Sequence, residues 1–281
     1  METKNIKVYP TFKKISLLNK IMRKISLKLG IGVSKWYDDW KKELDIVDTI
    51  IVFATNRIDH IEYIKKHSPN IRLILWYWNP VEKMINPMTF AKDLCELWSY
   101  DKVDCLKYNM QYNNTFFFKE IEIDNNDKEF DLLFLGFDKG RRLSIEELKK
   151  QMIIYEVKGY YHIVPDIGNA KNDSPKPMNY SNYLKLVSMS KCILDLMPNE
   201  NNGMTLRPME ALFFKRKLIT NFIAIKDEPF YDSKNIFILG IDDFSRIKQF
   251  IDSDYNEIDY KIMKEYEFKN WLSHFFIGGI N

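Results

Sequence analysis

The chain has 281 residues, 46% hydrophobic and 29% charged, with 42 basic against 39 acidic side chains and a net charge of +3. That composition belongs to a folded protein with a sizeable core and excludes a disordered or membrane-spanning one. So small a positive excess does not suit a nucleic-acid binder, and the length suits two domains of ordinary size.

In residues 12–29, Ile15, Leu18, Ile21, Met22, Ile25 and Leu29 recur at helical spacing, while Lys13, Lys14, Lys20, Arg23, Lys24 and Lys28 fill other positions. The pattern predicts a basic amphipathic helix with two readings. It could adsorb to an anionic membrane, lysines on the headgroups and the apolar stripe in their boundary. It could equally pack on its own sheet and leave a basic face in water.

"DTIIVFATN" and "IRLILWYWN" are short apolar strands separated by the helical "RIDHIEYIKKHS". They read as parallel strands with a crossover. In "LCELWSYDKVDCLKYN" a further strand ends near Ser99 and Asp101 opens a helix. The first half is therefore expected to be an α/β sheet.

Between 118 and 130, "FKEIEIDNNDKEF" loses periodicity and gathers Asp, Asn and Glu, as a linker does. The boundary expected there gives domains of 1–124 and 125–281, the second with a C-terminal helix. Its series runs strand "FDLLFLGF", helix "SIEELKKQMIIYEVKG", strand "YYHIVP", helix "YSNYLKLVSMS", strand "CILDLMP", helix "LRPMEALFFKR", then strands "KLITNF" and "IFILG". Strands apolar on both faces belong in parallel sheets covered by helices, which bind ligands at their carboxyl ends. The expected fold class is α/β, two Rossmann-like doubly wound domains facing a cleft.

Cys95, Cys105 and Cys192 form no CxxC pair and sit in apolar runs, which predicts buried reduced thiols. No run approaches the ~20 apolar residues of a spanning helix, and the N-terminus lacks a signal-peptide pattern. A cytoplasmic protein is expected, peripheral on the inner face of the membrane under the first reading of the basic helix.

Polar chemistry collects at two strand ends. After "CILDLMP", Thr205 is placed to cap a helix with Pro208 in its first turn. Free backbone N–H groups there favour an anion such as a diphosphate, Gly203 permits close approach, and Arg207 can add a cation. Glu210, further along, can accept hydrogen bonds from a ribose diol, or can be an ordinary helix-start carboxylate. After "DLLFLG", Lys139, Arg141 and Arg142 form either a phosphate-binding turn or a solvated basic one.

"GMTLRPMEALFFKRKLITNF", "FDLLFLGFDKGRR" and "YSNYLKLVSMSKCILDL" together resemble the C-terminal half of GT-B-fold glycosyltransferases, particularly bacterial lipopolysaccharide and capsule enzymes. The motifs cover residues 130–222; before them only architecture is similar. The resemblance implies that Glu210 binds the nucleotide ribose, that Gly203, Met204 and Thr205 meet the diphosphate, and that Lys139, Arg141 and Arg142 hold phosphate. Retaining members of this fold often carry a second glutamate eight positions earlier. Here that position is Asn202, an amide that can bond a sugar hydroxyl but lacks a carboxylate's charge.

His162 and Tyr180 join Asn202 as candidates for the donor's sugar or base, although a structural histidine equally explains His162. The loop "NAKNDSPKPMNYS" before Tyr180 could close over a donor or be an ordinary surface loop. Asn56 and Arg57, with Trp78 and Asn79, end two strands of the first half, where an acceptor sugar could stack and hydrogen-bond. His60 and His67 lack companions for a metal set, so neither metal nor cofactor is expected. The expected activity is transfer of a sugar from a nucleotide-diphosphate sugar to a glycan or lipid-linked acceptor in cell-surface polysaccharide synthesis. The alternative is a non-catalytic GT-B-fold protein that binds a nucleotide or glycan, or acts as a scaffold.

Overall fold

Two all-parallel sheets organise the chain in the computed structural model, which describes residues 6–90, 93–124, 126–166, 168–169, 171–197 and 203–276. They belong to two compact units, Met1–Tyr112 and Asn113–Asn281.

The first unit opens with helix α1 (Leu17–Leu29), ended by Gly30 in the left-handed region at φ 67°. Strands β1 (Thr49–Phe53), β2 (Arg72–Tyr77), β3 (Glu96–Ser99) and β4 (Gln111–Tyr112) lie side by side in that order. Helix α2 (Asp59–His67) links β1 to β2, and α3 (Lys102–Tyr108) links β3 to β4. Asp101 caps α3 as its position in the sequence predicts, accepting from the Val103 and Asp104 N–H groups at 2.8 and 3.3 Å. In the central strand β2, Leu73, Leu75 and Tyr77 pack with Ile61 and Ile64 of α2, and Ile74 and Trp76 are buried as well. A strand covered on both faces needs an unbroken apolar run, and "LILWY" provides it.

In the second unit, β5 (Phe130–Phe137), β6 (Gly159–Val164), β7 (Ser190–Asp195), β8 (Lys217–Thr220) and β9 (Ile236–Ile238) lie in the order β6-β5-β7-β8-β9. Successive side chains of a strand point to opposite faces, which divides the core in two. Leu132, Phe134, Cys192, Leu194 and Ile219 pack against α4 (Arg142–Ile154) and α7 (Ile247–Asp252). Leu133, Ile193 and Leu218 pack against α5 (Tyr180–Ser188) and α6 (Leu206–Phe213). This unit is doubly wound, and α8 (Tyr260–Lys264) and α9 (Phe268–His274) follow it.

Two expected boundaries move. The helix expected to run to 159 stops at Ile154, because Glu156 turns left-handed at φ 56° and Gly159 already begins β6. The division between units falls before Asn113, ahead of the acidic run that resembles a linker. Phe117 explains this: its N–H donates to the Tyr266 carbonyl at 2.7 Å, its carbonyl accepts from Phe268 at 2.9 Å, and its ring packs on Phe213 and Phe214. Residues just before the acidic run thus belong to the second core.

Candidate functional site

The order β6-β5-β7 makes the gap between β5 and β7 the topological switch point of the second sheet. From there the chain winds outward in both directions, the arrangement in which open α/β sheets hold ligands at the carboxyl ends of their strands. The turn after β5, the first residues after β7 and the start of α6 all arrive at this point.

Arg141 joins the two strand ends. Its guanidinium donates to the carbonyl of Leu196, just past β7, and to that of Phe137, the last residue of β5, at 3.0 Å for the latter. The group lies 5.1 Å from the Phe134 ring centre and is buried, with Nε lacking a partner. Burial and the neighbouring Arg207 cation bring its pKa down to about 10, so the site stays cationic at neutral pH.

Arg207 approaches from α6, contacting Asp195 Oδ1 at 3.3 Å, the Leu135 carbonyl, and the Phe134 ring at 5.7 Å. Gly136 lies beneath the two guanidinium groups. A Cβ on it would stand 2.9 Å from Arg207 Nη2 and 3.2 Å from Arg141 Nη2, so glycine at the next-to-last position of β5 leaves room for both groups. Thr205 caps α6, accepting from the Arg207 N–H at 3.3 Å and donating to Asp195 Oδ2 at 2.9 Å. Asp195, fully buried at the end of β7, therefore holds both the cap and the cation. Sequence reasoning passed over it; the signal was an acid inside the apolar run "CILDL".

One turn further along α6, Glu210 is enclosed at 3% exposure. Its Oε2 accepts from the Tyr183 hydroxyl at 2.6 Å, and Tyr180, 40% exposed at the start of α5, stands beside them with its ring centre 5.8 Å from that of Tyr183. Burial raises the Glu210 pKa, opposed by Tyr183, Arg207 and Tyr180.

The other sequence candidates are spread more widely. Arg142 pairs with Asp138 at 3.1 Å within its own helix start, and the Lys139 N–H donates to Asp166 at 3.0 Å. Gly203 is buried, and the Met204 side chain is part of the core, which leaves its backbone to meet a ligand. His162 Nε2 is hydrogen-bonded to the Lys176 carbonyl at 2.8 Å, tying β6 to the loop before α5. Asn202 lies outside the described residues.

In the first unit, Asn56 and Arg57 follow β1, and Trp78 and Asn79 follow β2. Trp78 is 52% exposed with its indole N–H on the Ala54 carbonyl at 2.8 Å, so its ring edge is fixed and a face is open. Asn56 is exposed and Asn79 half-buried. Arg57 is engaged elsewhere, with Asp59 at 2.6 Å and the Leu27 carbonyl at 3.3 Å. A cleft at the opposite end of this sheet is floored by Arg72 and Glu96, already joined by two hydrogen bonds of 2.6 and 2.8 Å. His60 is buried, while His67 stacks on Tyr63. Among the described residues no three His, Cys, Asp or Glu side chains gather to hold a metal.

No protein-family model matches the chain, and comparison with curated proteins finds no match.

Proposed function

We propose that the chain is a GT-B-type glycosyltransferase with two Rossmann-like domains, which binds a nucleotide-diphosphate sugar at the switch point of its second sheet. One observation carries this reading: two guanidinium groups and a capped helix N-terminus converge where β5 and β7 end. Four cations lie in or beside this cluster (Lys139, Arg141, Arg142, Arg207) against three carboxylates (Asp138, Asp166, Asp195), leaving an excess of one positive charge. A diphosphate suits that balance, and Arg141 has spent only two of its five N–H donors on protein carbonyls. As the bond from sugar to diphosphate breaks, negative charge grows on the leaving group, and fixed cations and backbone N–H groups lower the barrier by stabilising it. The acceptor in this reading is a glycan or a lipid-linked sugar in cell-surface polysaccharide synthesis on the cytoplasmic side, with Trp78, Asn79 and Asn56 as contacts.

The enclosure of Glu210 favours a second reading, a non-catalytic protein of the same architecture that binds a nucleotide or glycan or serves as a scaffold. For Glu210 to meet a ribose, the ligand's diol must enter past the exposed Tyr180 to a carboxylate that already accepts from Tyr183. The experiment is a thermal-shift and calorimetric panel of UDP, GDP, CMP and their sugars on the full chain, repeated with Glu210→Gln and Tyr180→Phe. A ligand that binds only the folded state raises its apparent stability. Stabilisation by one nucleotide diphosphate, weakened in Glu210→Gln, with turnover of its sugar conjugate, supports the enzyme. Binding without turnover moves the assignment to the second reading, and no response from any nucleotide removes the donor site.

A further inference from the structure

α1 meets the rest of the first unit through the wrong side for an ordinary surface helix. Ser26 is buried, with its hydroxyl on the Ile31 carbonyl. The Leu27 carbonyl accepts from Arg57, and Arg23 lies 5.1 Å from the Phe12 ring centre and donates to the Lys13 carbonyl at 3.3 Å. At about 100° per residue, Arg23, Ser26 and Leu27 form one face of the helix. Leu18, Ile21, Met22, Ile25 and Leu29 form a stripe on another, and these five are 51–74% exposed. Past the Gly30 cap, Ile31 is also 70% exposed and extends the stripe.

Surface helices of globular proteins turn such a stripe toward the core. Here it faces outward, and the sequence around it is charged with one sign. Residues 12–37 contain seven lysines and arginines and no aspartate or glutamate. Lys24 and Lys28 stand at the edge of the stripe, where snorkelling side chains can reach past apolar neighbours to anionic groups. A second copy of the chain would bring the same cations against themselves. A negatively charged bilayer satisfies both halves of the surface, apolar side chains in the headgroup boundary and lysines on the phosphates. The helix has 13 residues, so at ~1.5 Å per residue it is too short to cross a hydrocarbon core of ~30 Å. It can only lie in the plane of the interface; among the described residues no helix is long and apolar enough to span.

We propose that α1 docks the first unit onto anionic membranes, with Leu18, Ile21, Met22, Ile25 and Leu29 inserted and Lys24 and Lys28 on the headgroups. Arg57, held by Asp59, fixes the helix to the body through the Leu27 carbonyl, so docking orients the whole first unit. This inference stands independently of the donor-site reading, since nucleotide binding is not required for it.

The test is co-sedimentation of the full chain with vesicles of phosphatidylcholine alone and with an equal mixture of phosphatidylcholine and phosphatidylglycerol. The expected result is binding to the mixed vesicles that weakens with salt, and little to the neutral ones. Ile21→Glu with Ile25→Glu should reduce partitioning by roughly tenfold or more, and Lys24→Glu with Lys28→Glu should do the same on mixed vesicles only. All four positions are exposed, so melting temperatures should match the parent and separate lost binding from lost folding. Absence of vesicle binding by the parent chain, or equal binding by the Ile21→Glu, Ile25→Glu variant, overturns the proposal. So does sedimentation of the parent as a dimer that this variant dissolves while neither binds lipid, an outcome that assigns the stripe to a second copy.

Discussion

The Tyr183 hydroxyl donates to Glu210 Oε2 at 2.6 Å with both side chains buried, joining the two helices that cover one face of the second sheet. Burial raises the Glu210 pKa above its ordinary 4.5, so between 4.5 and that higher value the folded chain holds a proton that the unfolded chain has lost. Stability must therefore fall as pH rises through this window. Glu210→Gln removes the titration, and its urea midpoint should gain on the parent from pH 4.5 upward. Tyr183→Phe leaves the carboxylate short of a donor and should cost about 1–3 kcal/mol, more where the group is ionised. Parallel pH profiles for parent and Glu210→Gln would show that burial does not shift this carboxyl.

Arg141 holds the ends of β5 and β7 together through the Phe137 and Leu196 carbonyls. Arg141→Met keeps the stem over Phe134 but leaves both carbonyls without their donor, and should destabilise the fold by on the order of 3 kcal/mol. Arg141→Lys, with a point charge in place of a fork, should recover only part of that. Gly136→Ala pushes on the guanidinium groups from below, and a loss of about 1–2 kcal/mol is expected as they shift. Urea unfolding measures all three. An Arg141→Met variant as stable as the parent would mean that the guanidinium's contacts contribute nothing net, and that its burial serves ligand binding alone.

All strands but the two-residue β4 were legible because "LILWY", "DLLFLG" and "CILDL" are apolar runs bounded by polar turns, and the caps at Asp101 and Thr205 precede their helices directly. What the sequence concealed depends on distance along the chain. The second core recruits Phe117 through residues near 266, a pairing that no local periodicity encodes. Arg141 and Arg207 both look like surface cations in a polar turn, but long side chains can fold back to carbonyls, and both do so. Asp195 becomes central only once Thr205 and Arg207 are brought to it. The basic amphipathic pattern before residue 30 was plain, but which face met the body was not: periodicity fixes the relation of the faces to one another and leaves their direction to packing.

Cys95, Cys105 and Cys192 are all free and buried. Burial pushes the Cys95 and Cys105 thiols up to about 12 and raises that of Cys192 too, which leaves almost no thiolate near neutral pH. In a thiol-reagent titration at mildly alkaline pH, the native chain should react slowly or not at all, and three equivalents should appear in denaturant. Rapid labelling of the native chain at Cys192 would require that β7 open on the timescale of the reaction.

His60 sets a pH dependence of the opposite sign in the first unit. It is the second residue of α2, 3% exposed, and neither ring nitrogen has a partner. Burial lowers its pKa from the ordinary 6.5, the nearby Asp59 carboxylate opposing and Arg57 adding to the fall. As pH drops below 6.5 the unfolded chain takes up a proton that the folded chain refuses, so stability present above 6.5 is lost progressively in acid. His60→Leu should remove that acid-side loss, and it replaces two unsatisfied nitrogens by apolar surface of similar size. At neutral pH it should match the parent or gain about 1 kcal/mol, the difference widening as the pH falls. Because His60 and Glu210 belong to different units, the shifts in His60→Leu and Glu210→Gln should add in the double variant. An acid-side slope unchanged by His60→Leu would mean that the imidazole finds water or a partner on protonation, and that α2 opens at its first turn to admit it.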